Sequence, residues 1–527
     1  MDRSTPQQRQ KPVAVFASRF FSWVWTHAFA VVLVATLLFF LIRALYILWL
    51  GINQPLLDYY SFRQTQTAIS VYWLWKEGLG LVYETPVLGY PWAIPFEFPL
   101  YQWLVALLRF AGVPIDVGGR LVSFGFYIAT LYPLWILCRA LNLGATVWLI
   151  AAILFLASPL YVYWSRTVMI ESCALFFSVY SLALIAQYLI DGRRGTLVLA
   201  FLTSSLAVLV KSTTFPPYAL LAGSLVLWSG LTKLREGHPA VSVRQLASAF
   251  GVLGGSFLIG LLWVWYADSV KSANPFGAEL TSTKLMDFTL GTWDQRFSAE
   301  FWRKAILDRA LPEIFGNVTT AAIAAAAALQ SRRYGILMLA AALGFVLPFL
   351  LFTNLHFHHS YYQYANGLLG LLAVALGIAA VAKMGQPLLA ALFLTTILAG
   401  HVAVFQETHA PPLHHDWTKD PLFRIAKATR SFVPDNKSIL VLGQDLSSAV
   451  PYYSRRKSLM LPSWMPPGLT KQALDDPERF LGGQKLGGIV YCTSYTYDDE
   501  APLIDAAITG REVIAEAGPC KLLGPTR

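Results

Sequence analysis

Charge is what this chain has least of. Asp, Glu, Lys and Arg make up 13% of its 527 residues, about half the share of a typical soluble domain and too little to clothe a water-facing surface. Four cysteines are too few for a disulfide-built scaffold. No Gly-rich phosphate loop stands outside the apolar runs, which sets aside the usual nucleotide-binding classes. No basic patch interleaved with aromatics stands there either, so the formal net charge of +10 is not a nucleic-acid footprint. Repeats of solenoid length are missing too.

Apolar residues fill the space that charge leaves: 56% of the chain is hydrophobic and its mean hydropathy is +0.52. A bilayer core takes roughly 20 residues of helix, and runs of that order lie at 26–50, 119–138, 145–163, 171–190, 196–212, 214–231, 246–266, 311–329, 335–353, 362–381 and 387–405. Backbone in lipid must satisfy its own hydrogen bonds, and runs this long and uniform favour helices over barrel strands. The expected fold class is therefore an α-helical polytopic membrane protein of about eleven transmembrane helices with a small C-terminal extracytoplasmic α/β domain.

The basic residues orient it. Arg3, Arg9, Lys11 and Arg19 precede the first run; Arg139, Arg193, Arg194, Lys233, Arg235, Arg244, Arg332, Arg333 and Lys383 fall in alternate loops on the same side. Such a side faces the cytoplasm, so the N-terminus lies inside and the C-terminal part outside. The first run is too long for a signal-peptide core and reads as an uncleaved anchor.

Two domains are expected. Residues 1–405 form the membrane part, with outer loops at 51–118 and 267–310, the first carrying pieces at 62–78 and 101–111 suited to helices lying in the interface. Residues 406–527 form a soluble α/β domain over the mouth of any outer cavity, with strands at 438–443 and 487–491 and helices at 475–481 and 503–509. A disulfide between Cys492 and Cys520 is chemically available there. Cys138 and Cys173, at or within spans, read as packing residues.

All the concentrated polar chemistry falls on the outer side. Asp58, just beyond the first run, is followed by Arg63 and Gln64: a carboxylate that can deprotonate a hydroxyl, beside groups that bind phosphate or sugar. The alternative for Asp58 is a solvated loop acid or a helix cap. Glu97 sits between Pro95 and Pro99, with Tyr101 two residues further on; it too reads either as a site acid or as an interfacial loop residue. Arg166 and Glu171 lie at a membrane turn, where charge is costly, either as site groups or paired to each other as a structural lock. Lys211 at a span end can neutralise a phosphate or snorkel to the interface. His356, His358, His359, Tyr361 and Tyr362 crowd one short outer loop. With His414, His415 and Asp416 they leave a divalent metal open as a reading, but no known ligand spacing is present; hydrogen bonding to phosphate or sugar suits them better. Cofactor need is otherwise not indicated.

At these residues the chain resembles the GT-C glycosyltransferases, above all bacterial protein O-mannosyltransferases and lipid A aminoarabinose transferases. The resemblance spans roughly 25–405 and rests on Asp58, the Glu97-Phe-Pro-Leu-Tyr101 element, Arg166 with Glu171, and His359-Ser-Tyr361-Tyr362. It implies an inverting transferase in the bacterial cytoplasmic (inner) membrane. Such an enzyme passes a sugar from a polyprenyl-phosphate carrier to a glycan, lipid or protein acceptor at the outer face. It implies Asp58 as catalytic base, and Arg166, Lys211 and the His/Tyr loop as groups that hold the phosphate or close the cavity. Where aminoarabinose transferases have a lysine after the Glu-Xaa-Pro acid, this chain has Phe98, so Lys211 or Arg63 would have to contact the phosphate instead. Two readings compete: an oligosaccharide ligase with a polyprenyl-diphosphate donor, and a polyprenyl-linked sugar transporter. A transporter would place polar groups at mid-span in related halves, a pattern this sequence does not show.

Overall fold

The computed structural model describes residues 12–493 and 501–525; Arg3, Arg9 and Lys11 lie outside them. Every one of the eleven apolar runs is helical. The membrane part opens with α1 (Pro12–Gly51), α2 (Ser61–Glu77), α3 (Leu100–Phe110), α4 (Ile115–Ala129), α5 (Leu131–Ala140) and α6 (Ala145–Ala157). There follow α7 (Pro159–Trp164), α8 (Glu171–Asp191), α9 (Arg194–Val210), α10 (Pro216–Arg235) and α11 (Pro239–Lys271). Helices Arg332–Leu351, Gly367–Lys383 and Pro387–Val404 complete the bundle. Prolines open α7, α10, α11 and the last of these, where a missing N–H costs nothing.

Six of the described helices are long and apolar enough to cross a bilayer alone. The run expected at 311–329 is instead a pair, Ala299–Phe315 and Val318–Gln330, bent by 75°. Gly316 (φ +65°) supplies the left-handed turn, and the Asn317 side chain caps the second piece by accepting from Thr320 N at 2.9 Å. The run at 145–163 is likewise divided, between Ala157 and Pro159. Two of the four shorter apolar helices are interior ones. Both α6 and Gly367–Lys383 are apolar on every side and buried almost throughout, the pattern of a central helix.

In the first outer loop the piece expected to lie in the interface is covered instead. In α2, residues from Gln64 to Leu74 are nearly all buried. Helices α3 and α4 pack on it, and so does the helix Ala449–Ser454 of the C-terminal sheet domain. Strands β1 (Ser438–Leu442), β2 (Ser458–Met460), β3 (Leu486–Cys492), β4 (Val513–Ala517) and β5 (Cys520–Leu523) are ordered β2-β1-β3-β5-β4. The β1 pairs with β2 and β3 are parallel; those of β5 with β3 and β4 are antiparallel. Each residue of β1 is buried, as a strand covered on both faces must be. A disulfide joins Cys492 to Cys520 across β3 and β5. Of the tail helices expected, Ala501–Ile508 is present, and 475–481 is reduced to the short 3₁₀ turn Pro477–Phe480.

Edge strand β2 is closed by the outer loop rather than by solvent. Ser458 N donates to Pro86 O (3.0 Å), Met460 N to Val87 O (2.8 Å), and Gly89 N to Ser458 O (3.0 Å). Tyr453 OH accepts from Leu56 N at 2.6 Å, and the hydroxyls of Tyr452 and Tyr453 both bond Asp116. The sheet domain and the outer loop are one packed unit.

Candidate functional site

The chain leaves α1 at Gly51 and turns into α2 through Asp58, Tyr59 and Tyr60. Tyr60 holds a left-handed backbone (φ 54°), sparsely populated for a non-glycine residue and a feature that gathers at functional sites. That turn puts Asp58 beneath the α7–α8 junction, which brings Tyr163, Arg166 and Glu171. The α9–α10 junction brings Lys211, and the segment after Thr353–His358 brings His359, Tyr361 and Tyr362.

Three ion pairs result. Arg166 Nη2 is 2.6 Å from Asp58 Oδ2, Arg63 Nη2 is 2.9 Å from Glu97 Oε2, and Lys211 Nζ is 2.6 Å from Glu171 Oε1. The lock expected between Arg166 and Glu171 does not form: each takes a partner from another segment. Gly51 permits the first pair, since a Cβ there would stand 3.0 Å from Arg166 Nη1. Asp58 accepts further from Gln64 Nε2 (2.6 Å) and Tyr163 OH (3.1 Å). Glu97 accepts from Gln102 Nε2 at 2.7 Å, and Tyr83 OH fixes its backbone by donating to Glu97 O (2.9 Å) and accepting from Glu97 N (3.2 Å). Glu171 Oε2 and Arg166 Nε are buried without hydrogen-bond partners among the described residues.

Aromatic rings roof this cluster. Lys211 Nζ lies 3.9 Å from the centre of the Tyr362 ring and 5.2 Å from that of Tyr361, within cation–π range. His359 stacks on Tyr361 at 5.4 Å, and the edge of Tyr60 meets Tyr361 at 4.9 Å and Trp164 at 5.5 Å. Burial alone would raise the Asp58 carboxyl, but Arg166 beside it and Arg120 beyond hold it below the ordinary carboxylate range. Burial, with His358, Lys211 and other cations around it, pushes His359 down to about 4; burial, with Lys211 and Arg309, pushes His356 down to about 3. Both rings are neutral at pH 7.

Asp58, Arg63, Gln64, Glu97, Arg166, Glu171, Lys211, His359, Tyr361 and Tyr362 are thus drawn together. Tyr101 is not turned toward them: its hydroxyl donates to Gly119 O (2.8 Å) and meets Ser123, which ties α3 to α4. His358 is exposed and stacked on Phe288. His415 meets Trp417 edge to face, and among the described residues no three His, Cys, Asp or Glu side chains converge as a metal site. Tyr163, Gln102 and Arg120 also act on the site's acids. Nothing in the sequence marks the first two. Arg120 carried a signal, a lone charge inside an apolar run; it is fully buried, its Nη1 donating to Ile52 O (3.2 Å) and Gln54 O (2.7 Å).

No protein-family model matches the chain, and no curated protein sequence does. Solved structures do. The chain is similar to ArnT from Cupriavidus metallidurans bound to undecaprenyl phosphate, with TM-score 0.60 and 14% identity over 93% of this chain and 98% of that one. It is similar to the arabinofuranosyltransferase AftD from Mycobacteria, with TM-score 0.53 and 15% identity over 93% of this chain and 40% of AftD. It is similar to the Archaeoglobus fulgidus oligosaccharyltransferase in complex with Zn and sulfate, with TM-score 0.50 and 12% identity over 86% of this chain and 67% of that one.

Proposed function

The chain has the fold of the GT-C glycosyltransferases, and we propose that it uses that fold to move a sugar from a polyprenyl-phosphate carrier to a hydroxyl acceptor at the outer face of the cytoplasmic membrane. The observation that carries this reading is the meeting of three buried acid–cation pairs under one aromatic roof, on a membrane scaffold. A phosphate leaving group needs cations where its charge develops, and an acceptor hydroxyl needs a carboxylate within reach.

The pairing also supplies an order of events. Within the three pairs the charges cancel, so an arriving phosphate competes with the carboxylates for their cations. Arg166 and Lys211 turn to the carrier phosphate. Asp58, left buried without its guanidinium, becomes the stronger base that burial alone would make it. It takes the acceptor proton as the acceptor oxygen attacks the anomeric carbon from the face opposite the phosphate. The carbon–oxygen bond to phosphate breaks with its electron pair on the phosphate, the configuration inverts, and polyprenyl phosphate leaves. Arg63 and Glu97, braced by Gln102 and Tyr83, hold sugar hydroxyls.

The purified full chain in lipid nanodiscs, given a panel of synthetic polyprenyl-phosphate sugars and acceptors, tests this. Transfer of one sugar with inverted configuration and release of polyprenyl phosphate is the expected outcome. Turnover only with polyprenyl-diphosphate oligosaccharides, or vesicle transport without cleavage, would replace the reading.

A further inference from the structure

A cavity of about 610 Å³, lined by none of the carboxylates or their cations, is walled by α5, α8, α10 and the helices Arg332–Leu351 and Gly367–Lys383. That size falls among ordinary small-ligand pockets. Its walls are chiefly leucines, among them Leu137, Leu182, Leu225 and Leu372, and Arg332 and Arg333 stand exposed at its open end. The cavity starts at the basic ends of these helices and reaches up them as far as Leu221 and Leu369. Glu171 opens α8 at the carboxylate cluster, while the cavity meets α8 further along, at Leu182. Arg332 opens a helix of 20 residues whose far end leads on to His359; at 1.5 Å per residue that is about 30 Å.

The open end is cationic without local compensation. Arg333 Nη2 donates to Leu141 O, and among the described residues neither arginine makes an ion pair. Lys383 adds a third cation nearby, its Nζ 4.7 Å from the centre of the Tyr334 ring. The acid at that end of α8, Asp191, accepts from Arg193 N and Thr196 Oγ1 instead. Trp228, which also lines the cavity, is 61% exposed, where an indole suits the membrane–water boundary.

We propose that this cavity binds an anionic glycerophospholipid from the leaflet on the basic side, one acyl chain lying between the leucines and the phosphate on Arg332 and Arg333. An apolar slot alone would accept any acyl chain. The unpaired arginines at its opening select a net negative head group over a zwitterionic one. This assignment does not rest on the transferase reading.

Native mass spectrometry of the purified full chain, incubated with phosphatidylglycerol or with phosphatidylcholine of the same acyl chains, tests it. Phosphatidylglycerol is expected to be retained in preference, as one tightly held molecule. A basic side chain near an anionic surface contributes roughly fivefold, so the Arg332→Gln/Arg333→Gln double variant should lower retention about thirtyfold. Ser224→Trp, placed on the exposed side of α10 to fill the slot, should abolish it for both lipids without altering the arginines. Equal retention of both lipids by the parent, or retention unchanged in both variants, overturns the proposal. So does displacement of bound phosphatidylglycerol by polyprenyl phosphate, which would make the slot the place of the carrier tail.

Discussion

Arg166 Nη2 lies 2.6 Å from Asp58 Oδ2 across 108 residues of chain, and both side chains are buried. The acid proposed as base is therefore also the counter-ion of the cation proposed to hold phosphate. Neither role can be exercised while the pair is closed, which ties activation of the acceptor to arrival of the donor.

Asp58→Asn keeps the shape and removes the basicity, so turnover should fall roughly 10²–10⁴-fold. Binding of polyprenyl phosphate should not weaken, because the amide no longer competes for the guanidinium. Single-turnover kinetics and a binding titration check the two halves separately; near-parental turnover would remove Asp58 from the role.

Arg166→Ala leaves Asp58 buried without its partner, at a cost of roughly 3–5 kcal/mol, and it should bind the carrier about tenfold or more weakly. Adding Asp58→Asn should restore much of the lost thermal stability but none of the turnover. Arg166→Lys should resemble the alanine variant in carrier affinity, since an ammonium cannot bond two phosphate oxygens as a fork. Thermal unfolding in detergent and carrier titration distinguish these; an Arg166→Lys variant of parental affinity would place the phosphate elsewhere.

His359 and His356 give the fold a pH dependence of known sign. Both are depressed in the folded chain, to about 4 and about 3, below the ordinary histidine value of 6.5. The unfolded chain therefore binds more protons below that value. The stability they contribute is fully present above it and is lost as the pH falls toward their folded values. Melting curves between pH 7.5 and 4 should show this decline, and His359→Gln should make it shallower between 6.5 and about 4. An unchanged slope in that variant would mean that His359 is not the group responsible.

Removal of 406–527, which the sequence would allow as removal of a lid, should cost the fold itself. It would strip Pro86 and Val87 of their β2 partners and Leu56 N of the Tyr453 hydroxyl. A truncated chain should fail to give a monodisperse protein by size-exclusion chromatography. Tyr452→Phe with Tyr453→Phe should fold, with a melting temperature lowered by several degrees through loss of the Asp116 contacts. A stable, active truncation would show that the two parts are independent.

The apolar runs and the clustered polar groups were legible because each is a local property of the chain. Spanning length shows in a window, and Asp58, Arg63 and Gln64 stand within six positions of one another. Partner choice was not legible. Arg166 and Glu171 are near neighbours in sequence, yet they diverge because the α7–α8 turn aims one at Asp58 and the other at Lys211. Tyr163 and Gln102 are unremarked polar residues in apolar surroundings until the fold sets them against Asp58 and Glu97. In the tail, β1 and β3 announced themselves as continuous apolar runs. β2 has three residues, and β4 (VIAEA) is too exposed to show a pattern.

The pairing of β2 with residues 86–89 also fixes an order of assembly. Pro86 O waits for Ser458, 372 residues later in the chain. Translation at about 5–20 residues per second makes that delay roughly 20–70 s. During it the first outer loop presents an unsatisfied backbone edge at the membrane surface, open to wrong partners. Glu97 belongs to the same loop, and until Ser458 arrives its ion pair with Arg63 is braced by Tyr83 and Gln102 of that loop alone.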